Sequence, residues 1–267
     1  MRWDGGGGSR RSVAERGGWV VAALVLVVGG AALEARAADR RVVVEVDRRV
    51  PLAAGGASAM GPYGATGRIE CGGVRGVGQI TGRSDRVTSA AHVFFDEAGR
   101  SRAEAGRCVL ILGPAGAEET IDLVPDAAAC GSTSPYAAAG HHDWAVARLA
   151  RPVRGVAPYA IAAGVKPGTP IRVVSFEGER AMIDACRVRA VVAAADGGRE
   201  IRTDCVGVDG MSGAAYLTAE AVPRLVGLHV GWRSRHPDSA GAFADDHHTF
   251  GVAFDGAFGR AVRVGAR

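Results

Sequence analysis

The chain has 267 residues, with 32 basic and 28 acidic side chains, 48% hydrophobic residues, 40 glycines and five cysteines. Charged residues at 22% beside nearly half hydrophobic ones exclude wholesale disorder, and glycines without an every-third spacing exclude collagen. The formal net charge of +4 comes with no basic run interleaved with aromatics outside the N-terminus, which argues against nucleic acid as a partner.

In chain order, the first feature is an address. Residues 1–18 are polar and carry Arg2, Arg10, Arg11 and Arg16; residues 19–33 run apolar, and Ala35-Arg36-Ala37 follows. That is the charged, apolar and small-residue order of a cleaved secretory signal. The apolar run of fifteen residues is broken by Gly29-Gly30, and a bilayer span needs about 20. Cleavage after Ala37 removes five basic and three acidic residues and leaves 230 residues at net +2. A secreted or periplasmic location follows as an expectation, with no stable membrane insertion after cleavage.

Export places Cys71, Cys108, Cys130, Cys186 and Cys205 in an oxidising compartment, where an odd number leaves at least one thiol free or paired between molecules. Cys186 and Cys205 flank one hairpin-like stretch and form the first expected pair; Cys108 with Cys130 is the second, and Cys71 is left over. A body of this size buries a sizeable core, so disulfides act as staples.

Residues 38–62 form a lead-in or propeptide, loose and rich in Ala and Gly over 47–62. Strand-like runs then recur at 76–81, 86–90, 108–112, 120–124, 144–149, 171–176, 182–193, 225–232 and 249–254, after a first at 42–46. Gly, Pro, Asp and Ser clusters separate them, and capped helical periodicity is nearly absent, which favours an all-β barrel or sandwich. The Pro-containing segment 151–158 divides the body into halves, 63–155 and 156–267.

Three short motifs carry chemistry: VTSAAH ending in His92, HDWAVARL with Asp143, and DGMSG with Ser212. Singly, each is more often a packing or turn element than a catalytic one. Together they supply a base, a carboxylate and a nucleophile in the order His, Asp, Ser, at spacings of 51 and 69 residues. With these motifs, the stretch from Gly76 to Phe254 resembles a chymotrypsin-fold (trypsin-like) serine protease. VTSAAH matches that family's T-A-A-H, DWAVARL its D-I-A-L-L-x-L, GMSG its G-D-S-G, and Leu225–His229 with Phe250-Gly251-Val252 the walls of its primary specificity pocket.

The resemblance implies two six-stranded antiparallel β-barrels with a cleft between them. It makes His92 the general base, Asp143 its orienting carboxylate and Ser212 the nucleophile, with the N–H groups of Gly210 and Ser212 as the oxyanion hole. Val206, Gly207, Asp209, His229, Val230 and Gly251 become the substrate-binding positions. Substrates are then proteins or peptides, the enzyme is a monomer, and no cofactor is required.

Departures from the family pattern are specific. Met211 stands where trypsin has the aspartate that receives a freed N-terminal amine, so that switch cannot operate as a salt bridge. The bacterial glutamyl endopeptidase group also lacks it, and the chain resembles that branch more closely. Val93 replaces the cysteine after the catalytic His, which implies that Cys71 has lost its partner. Gly213-Ala214-Ala215 replaces G-G-P. His229 matches a histidine with which glutamyl endopeptidases recognise a carboxylate, whereas the threonine sharing that task falls on Gly207; Asp209 at the rim would suit a basic side chain instead. A pocket lined by Val206, Gly207, His229 and Gly251 would take a modest apolar or polar side chain, and cleavage specificity stays open between these. His141-His142 and the Asp245–His248 stretch carry metal-ligand side chains, but zinc wants ligands from more than one element, and no metal is expected. A homologue that keeps the fold as a secreted binding module without activity is the alternative function.

Overall fold

The computed structural model describes residues 40–52, 57–113, 116–162 and 164–264. The expected signal segment lies outside these residues. Among them, no helix is long and apolar enough to cross a membrane.

β1 (Arg41–Val44) and β2 (Val50–Pro51) come first, followed by β3 (Thr66–Cys71), β4 (Val74–Ile80), β5 (Arg86–Ser89), β6 (Cys108–Leu112), β7 (Glu119–Val124) and β8 (Ala145–Leu149). The last six close into an antiparallel barrel in the order β3-β4-β5-β8-β7-β6. Alternation drives closure: Ile69, Ile80, Val87, Leu110, Ile121 and Ala147 point inward with almost no exposure.

β9 (Pro170–Glu177), β10 (Arg180–Ala193), β11 (Arg199–Thr203), β13 (Ala215–Thr218), β14 (Leu225–Ser234) and β16 (His247–Ala253) build the second barrel. Their order is β11-β16-β14-β13-β9-β10, and the β10–β11 pairing closes it. The fold is therefore the expected pair of six-stranded antiparallel barrels. Two short strands, β12 (Gly207–Val208) and β15 (Ala240–Gly241), pair with β1, and a helix, α1 (Gly256–Val264), ends the chain.

Several elements went unpredicted. β3 reads TGRIEC and β11 reads REIRT, where charged residues on the solvent face hide the alternation; β13 has only four residues. The lead-in also contains more order than its composition suggests. Val42, Val43 and Val44 are buried, β1 lies antiparallel to β12, and β2 extends the second barrel's sheet at β10.

One cysteine expectation is corrected. Cys186 pairs with Cys205 as expected, but Cys108 pairs with Cys71, and Cys130 is free. The reason is register: β3 and β6 are neighbours, with Cys71 directly opposite Cys108. Without β3, Cys71 had no visible neighbour. Burial pushes the Cys130 thiol up to about 11, with the Asp126 charge adding to it, so the leftover thiol is poorly nucleophilic.

Candidate active site

β5 delivers Ser89, and a 3-10 turn, Ala91–Val93, sets His92 at the barrel rim. A second 3-10 turn, Gly140–His142, precedes Asp143 at the mouth of β8. The two meet across 51 positions: Asp143 Oδ2 lies 2.6 Å from His92 Nδ1, and Asp143 Oδ1 accepts the His92 backbone N–H at 2.9 Å. One carboxylate thus fixes both the ring and the backbone of the histidine. The Asp143 side chain is 7% exposed and that of His92 17%, so the pair is shielded while the ring still reaches solvent.

Ser212 belongs to the second barrel's loop between β12 and β13, and backbone contacts tie it to the first. Val77 N–H donates to Ser212 O at 2.8 Å. Gly213 has φ +86, and a Cβ there would stand 2.1 Å from Ser89 Oγ and 2.3 Å from Val77 O, so only glycine lets the Ser212 loop lie this close to β4 and β5. Gly213 N–H donates to His229 O at 2.8 Å and His229 N–H to Ala214 O at 2.7 Å, which fastens the same loop to β14.

Gly210 has φ +82. Among the described residues, the N–H groups of Asp209, Met211, Gly213 and Ala214 all have protein acceptors, whereas those of Gly210 and Ser212 have none. Ser212 Oγ and His92 Nε2 likewise form no hydrogen bond among the described residues. A held imidazole, a half-buried serine and two uncommitted donors are the parts that acyl transfer needs.

The trypsin-like peptidase domain model matches residues 76–228, more than half of the chain. The chain belongs to the trypsin-like peptidase family. Solved structures of other proteases share the fold. A Glu endopeptidase is 17% identical with a TM-score of 0.65, covering 84% of this chain and 99% of that one. The thermostable serine protease AL20 from an extremophilic microorganism is 13% identical, TM-score 0.54, covering 76% and 97%. The protease Anisep from Arthrobacter nicotinovorans is 13% identical, TM-score 0.52, covering 76% and 95%. No curated protein sequence matches the chain.

In this trypsin-like peptidase the pocket positions take unequal places. Val206 and Gly207 are buried, and Val206 N–H is held by Asp184 Oδ2 at 2.8 Å. His229 is 1% exposed, with Nδ1 3.2 Å from Tyr216 Oη. Burial, aided by the nearby His92, lowers the His229 imidazole to about 3, so it is neutral at physiological pH. Gly251 stands opposite His229 in the β14–β16 register, and Val230 occupies the bulge beside it. Asp209 is engaged by the N-terminal segment: Oδ2 accepts Arg40 N–H at 3.1 Å, and Asp209 N–H donates to Arg40 O at 3.1 Å. Met211 is buried in the second barrel's core with Val43 and Val208, an apolar plug where an ion pair would otherwise sit.

Three side chains near the site escaped sequence reasoning. Trp232 lies against Gly207, its Cε3 3.1 Å from where a Cβ would stand. Tyr136, 54% exposed, sits with its ring 5.9 Å from the His92 ring. Arg102 joins them, donating to His92 O at 3.2 Å and to Tyr136 Oη at 3.2 Å. Trp232 offered a signal, three positions past His229 on the same strand; the loops bearing Arg102 and Tyr136 offered none.

Proposed function

We propose that the protein is an exported serine endopeptidase acting through Ser212, His92 and Asp143. Ser212 Oγ attacks the peptide carbonyl while His92 Nε2 takes its proton. The tetrahedral oxyanion accepts N–H bonds from Gly210 and Ser212. His92 then passes the proton to the leaving amine, and the acyl-enzyme is hydrolysed by water that His92 activates in turn. Asp143 Oδ2 accepts Nδ1–H and so holds the imidazole in that tautomer. The Ser212–His92 bond closes as substrate fills the cleft, since catalytic hydrogen bonds tighten in the substrate complex.

The observation that carries this reading is the double grip of Asp143 on His92 beside a loop whose Gly210 and Ser212 N–H groups have no protein acceptor. The test is fluorophosphonate labelling of the purified protein with Ser212→Ala as control. Labelling of the wild type alone supports it; labelling that persists in the variant places the nucleophile elsewhere. A correctly folded wild type that neither labels nor cleaves casein favours the binding module. Export is tested by mass spectrometry of the mature N-terminus, where Ala38 is expected and an intact Met1 would sink the claim.

For the residue before the cut, a small uncharged side chain fits best. The base is aliphatic at Val206, the indole of Trp232 leans on Gly207, and His229 is neutral. The glutamate preference named for the Glu endopeptidase would call for a positive group that these positions do not supply. A peptide library should favour Ala, Ser or Val before the cut, and Trp232→Gly should widen acceptance to larger residues. Dominant cleavage after glutamate would overturn this.

A further inference from the structure

His141 and His142 gain a third partner that their place in the sequence does not suggest. They lie on the 3-10 turn Gly140–His142 that delivers Asp143, while Asp196 sits on the turn joining β10 to β11 in the second barrel. His141 Nε2 is 3.0 Å and His142 Nε2 2.8 Å from the same atom, Asp196 Oδ2. The other carboxylate oxygen, Oδ1, accepts the Gly198 N–H at 3.0 Å, which orients the group and leaves Oδ2 facing the imidazoles. The two rings lie 4.2 Å apart, and the three ligand atoms fall within 4.8 Å of one another. His141 is mostly covered, while His142 and Asp196 open to solvent.

Two imidazole nitrogens on one carboxylate oxygen are a transition-metal donor set. An ion with metal–ligand bonds of roughly 2.0–2.2 Å holds tetrahedral ligands about 3.3 Å apart, so a few tenths of an ångström of spreading would admit one. Calcium and magnesium prefer all-oxygen shells and fit poorly. The ligands now come from two elements, one on each barrel.

We propose that His141, His142 and Asp196 bind a divalent transition-metal ion of the zinc class, which clamps the Asp143 loop to the second barrel and keeps a fourth position open to water. Nothing in this depends on the peptidase reading, and the experiment uses the full chain carrying Ser212→Ala to prevent self-digestion. After treatment with a chelator, titration calorimetry with zinc should show one equivalent bound, and calcium should show none. Cobalt in place of zinc should give the visible absorption of a four-coordinate site. Zinc at ~100 times its dissociation constant should raise the melting temperature measurably. Asp196→Ala lies on a hairpin tip and should weaken zinc at least tenfold; His142→Gln is the second variant, with circular dichroism confirming that each folds. Absence of zinc binding, or binding undiminished in both folded variants, would overturn the site and leave a hydrogen-bonded histidine pair.

Discussion

His92 gives two donors, its backbone N–H and Nδ1–H, to the two oxygens of Asp143. The residue-scale consequence is that an amide at 143 retains one of these bonds and loses the other. Asp143→Asn keeps an oxygen for the backbone N–H but presents an NH2 group to the ring, which favours the wrong imidazole tautomer. kcat should fall by roughly 10⁴-fold, while folding stability changes far less, because the backbone bond persists. Steady-state kinetics alongside a urea melt separate the two; a fall in activity explained by unfolding would refute the tautomer account. Legibility at this scale was uneven. His92, Asp143 and Ser212 stand in motifs whose local spelling is constrained by chemistry, so they were readable. The Tyr216 contact to His229 and the Trp232 contact to Gly207 were not, because cross-strand partners are set by register, which no local motif encodes.

At the scale of elements, β1 supports the segment that leads to Ser212, and α1 packs on the residue that follows Asp143. β1 lies against β12, and the loop that follows β12 carries Gly210 and Ser212; buried Val42–Val44 and Met211 together make that attachment apolar. The strand itself was legible as the apolar run 42–46, but its attachment was not, since a short valine run has no visible partner until β12 is known. Val42→Ala should cost about 1.5–3 kcal/mol and also slow fluorophosphonate labelling of the folded protein. A loss of stability with unchanged labelling would show that β1 supports the barrel without ordering the oxyanion loop. Phe258 of α1 stacks on Trp144, the residue after Asp143, at 4.7 Å and on Phe254 at 4.0 Å. Phe258→Ala should cost about 3–5 kcal/mol in a chemical melt; a cost below 1 kcal/mol would mean that the helix is dispensable to the first barrel. α1 went unpredicted because nine residues of GAFGRAVRV with two glycines give only a short, weak helical pattern after Asp255, so that packing, rather than propensity, makes it a helix.

For the whole molecule, the two-barrel plan was legible because strand-length runs between turn clusters survive even at this low aromatic content, whereas β3 and β11 were masked by charges on their outer faces. The second barrel buries two histidines, His229 on β14 and His248 on β16, and this sets how the molecule responds to acid. His229 is held neutral with its imidazole lowered to about 3 by burial, and His248 is lowered too, again chiefly by burial. In the unfolded chain both take up a proton near pH 6.5, so the unfolded state binds more protons below that value and stability falls as pH drops. The His229 loss begins near 6.5 and is complete once the folded imidazole also protonates near 3. Between pH 6.5 and 5 this one group should remove about 1.5–2 kcal/mol. Thermal melts of the Ser212→Ala protein at pH 7.5 and 5 should show a clear drop in melting temperature, and His229→Leu in the same background should shrink that drop. Equal drops in the two proteins would mean that the imidazole titrates unhindered in the fold, and that the wall behind Ser212 is wet.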